Sequence, residues 1–299
     1  MTGPAGGALR WVERRAARVV GSRGLREGGS PWLLDLDGRP PAVLRTGRHD
    51  PDVRARFVTE VAALRLAERH ALPTPRVLAA DVDGAEAGSP ALLTTALPGR
   101  SAMPPDPPAS RLRALGAAAA ALHEVVVDPR PGLPVRRWPM DGPGGGFVRV
   151  RDAVGSAPVA EAVARVDRLP APVGPTVLVH ADLWLGNVLW VGDEVSGVVD
   201  WECAGVGAPG VDLGNLRCDA AMLLGGDAPD LVLDGWCAAA GGPARDVARW
   251  DVVAALSGPA DVAAWLPAIH DQGRTDLTAD VLARRRDAFL RAALDRWAG

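Results

Sequence analysis

The chain has 299 residues, of which 48% are hydrophobic and 23% charged, and its formal net charge is −3. This length suffices for a substantial core without a stabilising metal, and it predicts two domains or one large one. No apolar run approaches the roughly 18 residues of a membrane span. The first twenty residues lack the apolar segment of a secretory signal.

The basic and sulfur-containing residues narrow the function classes further. The three cysteines form no C-x-x-C pair, which argues against a disulfide framework and for a reducing compartment. The chain has no lysine, so a catalytic cation must be an arginine, a histidine or a metal. No basic block is interleaved with aromatic residues. We therefore expect a cytoplasmic protein that binds neither membranes nor nucleic-acid polymers, while its oligomeric state stays open.

The first hundred residues show a mixed pattern. Short apolar runs over 19–36 are interrupted by Gly28, Gly29 and Ser30, which predicts strands joined by a turn. A strand over 42–45, a helix over 52–70 and another strand over 91–97 follow.

A cluster of proline and glycine over 98–108 is the best domain boundary in the sequence. Beyond it helical periodicity dominates, beginning with Leu112, Leu115 and Ala119. We therefore predict an α+β fold with domains at 1–97 and 98–299. The first carries 14 arginines and 11 acidic residues, whereas residues 200–280 carry 4 arginines and 13 acidic residues.

The one strand-like stretch of the second domain carries the chemistry. Residues 176–202 read TVLVHADLWLGNVLWVGDEVSGVVDWE, with a hairpin signal around 192–194. A turn at Asp193-Glu194 would place Asn187 opposite Asp200, with Cβ atoms roughly 5 Å apart. Their oxygens could share Mg²⁺. Asp182 enters the same end of the hairpin, as in a phosphoryl-transfer site.

HADLWLGN followed by VVDWE resembles the catalytic core of the aminoglycoside phosphotransferase family, which comprises small-molecule kinases with a protein-kinase-like fold. The family pattern is His-Gly-Asp-x4-Asn and then Ile-Asp-Trp-Glu, and Ala181 replaces its glycine here. The resemblance implies a small, mainly-β N-lobe with one key helix for the nucleotide. It also implies a larger, mainly-α C-lobe that carries the catalytic loop and the acceptor site.

The resemblance also implies roles for individual residues. Asp182 would be the catalytic base, and Asn187 and Asp200 would bind the metal. His180 would order the catalytic loop, which the buried Asp212 would anchor, although Asp212 could also be a plain helix N-cap.

A kinase mechanism needs a cation on the nucleotide phosphates and an acid that holds it. Arg45 ends its predicted strand where family members carry Lys or Arg. On the following helix Glu60 falls on the inward face, whereas Glu68 lies two turns further, roughly 12 Å along the axis. The family pattern also favours Glu60, which we choose as the partner of Arg45.

Two further segments resemble nucleotide-binding parts of the family. Gly28, Gly29 and Ser30 resemble its phosphate-covering turn, although they lack G-x-G-x-x-G and a plain hairpin turn would look the same. Residues 92–99 resemble the hinge whose backbone would contact the base near Thr95 and Leu97.

The predicted enzyme moves the γ-phosphate of ATP or GTP, with Mg²⁺, to a hydroxyl of a small molecule. The acidic stretch over 200–280 would suit an aminoglycoside or another amine as acceptor, although Asp227, Asp230, Asp246 and Asp271 could equally be solvated residues of helix faces and loops. A neutral acceptor such as a macrolide or a metabolite would need only an apolar groove, which Trp236, Trp250 and Trp265 could supply. A catalytically silent kinase-like binding protein is a further alternative, and resistance and metabolic roles both stay open.

Overall fold

The computed structural model describes residues 3–26, 29–141, 148–153, 157–168 and 174–298. The strands are β1 (Val19–Arg26), β2 (Gly29–Leu36), β3 (Arg39–Thr46), β4 (Val77–Asp81), β5 (Ala91–Thr95), β6 (Val177–Val179), β7 (Val188–Val191), β8 (Glu194–Val198) and β9 (Gly205–Gly207). The helices are α1 (Gly6–Arg15), α2 (Pro51–Arg69), α3 (Ala109–His123), α4 (Ala157–Asp167), α5 (Gly210–Leu223), α6 (Ala228–Ala240), α7 (Val247–Ser257), α8 (Leu266–Asp271) and α9 (Ala279–Ala298). Short 3₁₀ helices cover Val150–Asp152, Leu185–Asn187, Trp201–Cys203 and Val262–Trp265. This order, a sheet followed by helices, confirms the α+β class.

The first five strands form one antiparallel sheet in the order β1-β2-β3-β5-β4. Leu34 and Leu44 are completely buried in a core cluster that also contains Trp11 and Val12 of α1. No helix was expected at this position from the sequence. A ten-residue helix is marginal by itself, so its stability depends on this packing against the sheet.

Helix α2 is built from strong local signals and matches the prediction over 52–70 to within one residue at each end. Asp50 caps its first turn by accepting hydrogen bonds from the amides of Asp52 and Val53, and Pro51 occupies the first position. Phe57 and Leu64 pack its inward face into the core. The helix therefore presents a fixed face to the site described below.

The helical part of the molecule surrounds α5, along which nearly every residue is buried. Helices α3 and α6 cross at two glycines, where the backbones approach very closely. A Cβ on Gly116 would lie 2.0 Å from the carbonyl oxygen of Val232, and one on Gly235 would lie 2.0 Å from that of Arg113. Only glycine permits this approach. Within the described ranges no helix has the length and apolar character needed to cross a bilayer.

The β7–β8 hairpin turns one residue earlier than predicted. Gly192 and Asp193 form the turn, Val191 pairs with Glu194, and an irregularity near Trp190 shifts the register. As a result Asn187 faces Val199, whose amide donates to the Asn187 carbonyl at 2.9 Å, and Asp200 lies one residue beyond. The predicted register is wrong because Gly192 adopts φ +61°, a conformation open to glycine at no steric cost.

A buried ion-pair group joins α5, α7 and α9. The Arg217 guanidinium donates to both oxygens of Asp251 at 2.9 and 3.0 Å, and Arg296 donates to Asp251 at 2.8 Å. Arg217 also contacts Asp230 on α6 at 3.3 Å. The two acids differ in environment, since the Asp251 side chain is 0% exposed and that of Asp230 is 75% exposed.

Asp251→Asn should lower the free energy of unfolding by about 3 kcal/mol, because it leaves Arg217 as a buried cation without its main counter-ion. The matched control Asp230→Asn removes the surface carboxylate that pairs with the same buried arginine. It should lower the free energy of unfolding by less than about 1 kcal/mol. Urea unfolding of both variants measures the difference. Equal losses would show that burial of Asp251 does not determine its contribution.

Candidate active site

The guanidinium of Arg45, at the end of β3, lies among three carboxylates. It donates to Glu60 of α2 at 2.8 Å and to Asp200 at 3.0 Å, and it also pairs with Glu202. The ring of Phe57 lies 5.7 Å from the same guanidinium. One side chain of the sheet thus joins α2 to the segment that follows the β7–β8 hairpin.

Glu60 is the acidic partner of Arg45 in the structure, as expected from its helical position. Glu60 is 7% exposed, whereas Glu68 is exposed near the C-terminal end of α2. Burial raises the pKa of Glu60 to about 7, with Asp200 and Glu202 adding to the rise and Arg45 opposing it.

Asp200 ends the hairpin in a conformation that is uncommon for a residue with a side chain. Its φ is +68° and its ψ is +59°, in the left-handed region. Burial works to raise the pKa of Asp200, but the positive charges of Arg45 and Arg26 outweigh it and lower that pKa below its usual value. Asp200 is therefore held ionised, which is the form that a cation binds.

The loop that carries Asp182 is anchored by Asp212, whose side chain is 0% exposed in the first turn of α5. The Asp212 carboxylate accepts from the amides of His180 and Ala181 at 2.8 and 2.7 Å. Asp212 is not the helix N-cap, a position taken by Pro209.

A third contact to Asp212 comes from His123, a buried histidine whose tautomer is fixed by a hydrogen bond from a tryptophan. Trp236 Nε1 donates to His123 Nδ1 at 2.9 Å, so the proton of a neutral His123 lies on Nε2. His123 Nε2, 3.2 Å from Asp212, then donates to the carboxylate. A chain of hydrogen bonds thus connects α6, the end of α3 and the loop.

His180 itself is buried and supports the loop from within. Its ring lies 4.7 Å from that of Trp201, and its Nε2 is 2.9 Å from the Val199 carbonyl oxygen, so Nε2 is the protonated nitrogen. Its Nδ1 accepts from the amide of Asp182 at 3.3 Å. Both ring nitrogens are therefore used in ordering residues 180–182, and neither is free for a proton transfer.

Asp182 and Asn187 lie side by side. The Asn187 side-chain amide donates to the carbonyl of Asp182 at 2.9 Å and, at 3.4 Å, to its carboxylate. Burial and the negative charges of Asp200 and Glu202 raise the pKa of Asp182 well above its ordinary value, and the Asn187 hydrogen bond opposes that rise. A carboxylate with a raised proton affinity is suited to accepting a proton.

The predicted turn and hinge residues fall into three groups. Gly28 lies outside the described residues, and Gly29 begins β2. The Ser30 hydroxyl accepts from the amide of Thr46 at 3.1 Å, so it joins β2 to β3. The Thr95 hydroxyl accepts from the amide of Arg76. Leu97 packs so closely on Gly197 that a Cβ added to Gly197 would lie 2.3 Å from Leu97 Cδ1.

The polar groups at the hairpin end have the chemistry that a magnesium ion bound together with phosphate groups would need. A carboxylate of Asp200 and an amide oxygen of Asn187 are oxygen ligands of the kind that Mg²⁺ prefers. In the described part of the chain no cluster of three or more His, Cys, Asp or Glu side chains forms a metal site by itself. The ion would therefore need further oxygens from water or a phosphorylated ligand.

Several site residues were missed in the sequence. Arg26 donates to Asp200 at 3.1 Å, and Arg56 contacts Glu202 at 3.5 Å. Asp219 accepts from the amide of Leu185, in the segment between β6 and β7, at 3.0 Å. Glu202 lies in the VVDWE motif, whereas no sequence signal connects Arg26, Arg56 or Asp219 to the site.

Comparisons with known proteins show the family and the fold to which the chain is similar. The sequence profile of the phosphotransferase enzyme family (APH) matches residues 22–256. No curated protein sequence matches the chain. Among solved structures, an aminoglycoside-3′-phosphotransferase of type VIII is similar at a TM-score of 0.60 and 19% identity, covering 82% of this chain and 96% of that one.

Two other structures are similar over nearly the whole chain. Macrolide 2′-phosphotransferase MphH from Brachybacterium faecium has a TM-score of 0.59 and 19% identity, with 96% of each chain covered. A thermostable mutant of the aminoglycoside phosphotransferase APH(4)-Ia, in a ternary complex with ADP and hygromycin B, has a TM-score of 0.60 and 19% identity, covering 95% of this chain and 97% of that one. These likenesses confirm the predicted protein-kinase-like fold.

Asp212→Asn should lower the free energy of unfolding by about 3 kcal/mol. An amide offers one acceptor oxygen where the carboxylate offers two, so one buried donor among His180, Ala181 and His123 loses its partner. Faster hydrogen exchange at the amides of residues 180 and 181 would accompany the loss. Asp193→Asn, in the exposed hairpin turn, is the control and should change neither quantity; unchanged exchange in Asp212→Asn would contradict the anchoring role.

Asp219 should make stability depend on pH. Burial raises its pKa to about 7, above the value of an unfolded chain, so its contribution is present at low pH and lost as pH rises towards 7. Asp219→Asn keeps an acceptor for Leu185 and removes this titration. The stability of the variant relative to the wild type should rise between about pH 4 and pH 7 and then level off; urea unfolding across this range measures it, and a flat difference would contradict the assignment.

Proposed function

The chain belongs to the phosphotransferase enzyme family, and from that premise we propose that it moves the γ-phosphoryl group of a nucleoside triphosphate to a hydroxyl of a small molecule. The observation that carries the proposal is the arrangement around the end of the β7–β8 hairpin. There Asp200 meets the Arg45–Glu60 pair, and the side chain of Asn187 holds Asp182. We place the boundary between a nucleotide-binding lobe, 1–97, and a catalytic lobe, 98–299, after the hinge.

Asp182 is the proposed base. Its raised pKa and its fixed position beside Asn187 suit it to orient the acceptor hydroxyl and to take its proton. The acceptor oxygen then bonds to the γ-phosphorus, while the bond from that phosphorus to the bridging oxygen breaks and the nucleoside diphosphate leaves. Since the loop is already anchored by Asp212, little ordering is needed when the acceptor binds.

Arg45 is the proposed partner of the nucleotide phosphates, held in place by Glu60. Its planar guanidinium stays charged and offers paired donors to phosphate oxygens. Asn187 and Asp200 would hold Mg²⁺, which neutralises charge that develops on the phosphate groups. The backbone near Thr95 and Leu97 would contact the base of ATP or GTP.

The acceptor is proposed as a class. An amine-bearing acceptor, such as an aminoglycoside, is favoured by the acidic stretch over 200–280. Four acids of that stretch are exposed, as solvated surface residues would also be: Asp227, Asp230, Asp246 and Asp271. For a neutral acceptor the candidate tryptophans offer less support. Trp250 is 6% exposed, and Trp236 and Trp265 pack against the main core.

The acceptor class is tested by Mg²⁺-dependent phosphate transfer with ATP and with GTP on two panels. One panel contains hydroxylated amines, including aminoglycosides, and the other contains macrolides and neutral metabolites. Transfer only to the first supports the cationic acceptor, and transfer only to the second overturns it. Nucleotide binding without transfer to any compound would favour a catalytically silent kinase-like binding protein.

Asp182→Asn should lower kcat by at least about 100-fold, because the amide cannot accept the hydroxyl proton. Nucleotide affinity should stay within about two-fold of the wild type, since Arg45, Glu60 and Asp200 are unchanged. Steady-state kinetics and calorimetric titration with Mg-nucleotide measure the two quantities. Asp193→Asn, a surface change of the same kind, controls for charge, and near-normal turnover by Asp182→Asn would exclude Asp182 as the base.

A further inference from the structure

Arg26 lies at the end of β1 and reaches across to Asp200, 174 positions later in the chain. Its guanidinium Nη2 donates to Asp200 Oδ2 at 3.1 Å, while Arg45 Nη1 donates to Asp200 Oδ1 at 3.0 Å. Both oxygens of this carboxylate therefore carry an arginine. A divalent cation that binds Asp200 must share or replace one of these two contacts.

The two arginines differ in how easily they can move. The side chain of Arg45 is 25% exposed and also binds Glu60 and Glu202, whereas that of Arg26 is 58% exposed. Among the residues that the structure describes, Asp200 is the one carboxylate that forms an ion pair with Arg26. Because an ion pair whose arginine is largely exposed to solvent contributes less free energy than one held on several sides, the Arg26 contact is the one that a cation can displace.

Arg26 is also placed to bind what would accompany that cation. Its β-sheet partner is Gly29, so it lies at the end of the β1–β2 pair, within hydrogen-bond distance of the carboxylate that would hold the metal. A triphosphate brings several negative charges to this position. The planar guanidinium can bind phosphate oxygens through two parallel hydrogen bonds.

We infer that Arg26 is a nucleotide-positioning residue that exchanges partners. When a divalent cation binds Asp200, Arg26 releases Asp200 and binds the phosphate groups of the nucleotide instead. This inference rests on the proposed function, since it concerns the same nucleotide. It predicts effects of opposite sign. Removing Arg26 removes a competitor of the cation and, at the same time, a ligand of the phosphates.

Two binding measurements on the full chain test the exchange. Mn²⁺ titration without nucleotide, followed by electron paramagnetic resonance of the free ion, measures cation affinity, and calorimetric titration with Mg-nucleotide measures nucleotide affinity. Arg26→Gln should bind Mn²⁺ about three-fold more tightly, the size of a surface ion pair. It should bind Mg-nucleotide about ten-fold more weakly, the size of a charge-assisted hydrogen bond.

Two further variants separate position from charge. Arg23→Gln removes the same charge from an exposed arginine of β1, and both affinities should stay within about two-fold of the wild type. Arg26→Lys keeps the charge and should restore part of the nucleotide affinity. KM for the nucleotide should rise in Arg26→Gln more than kcat falls.

The outcomes distinguish this inference from the function on which it rests. If the wild type binds Mg-nucleotide and transfers phosphate while Arg26→Gln matches it in both titrations, the exchange is overturned and the function stands. Weaker binding of both Mn²⁺ and nucleotide in Arg26→Gln would also overturn it, because a competitor cannot strengthen cation binding. A wild type that binds no nucleotide would overturn both.

Discussion

The guanidinium of Arg45 is the charge on which the candidate site depends. It is held among Glu60, Asp200 and Glu202, which come from α2 and from the segment after β8. Without the arginine the three carboxylates would repel one another, and without the carboxylates a partly buried cation would be costly. The sheet, α2 and the hairpin end are therefore kept in one arrangement by mutual charge, and that arrangement sets the positions of the side chains proposed to bind phosphate and metal.

A second constraint acts on the backbone. Ala181 and Asp200 both adopt positive φ, at +61° and +68°, which costs a residue with a side chain on the order of 1 kcal/mol or more. Charge-assisted hydrogen bonds from the amides of residues 180 and 181 to Asp212 offset this cost on the loop, and the ion pairs of Asp200 offset it at the hairpin. The geometry of the site is thus determined by the packed interior, independently of any acceptor.

The charge balance bears on how a site so rich in carboxylates would accept a polyanion under the proposed function. Arg26 and Arg56 extend the Arg45 group outward, so that each carboxylate of the cluster already has a cationic partner. An arriving phosphate group would meet guanidinium donors, and an arriving cation would meet carboxylate oxygens. The proposed exchange of partners within the cluster would cost less than exposing unpaired buried charges.

The amino-acid sequence alone determined the fold class and the choice of Glu60 as the partner of Arg45, because hydrophobic periodicity, turn residues and motif spacing are local. Tertiary structure decided the rest. The hairpin register followed from Gly192, where a positive φ moved the turn by one residue. Helix α1 depends on packing against strands that come later in the chain. The contacts of Arg26 and Asp219 with the site form between positions far apart in the chain, so their geometry exists only once the strands and helices have packed together.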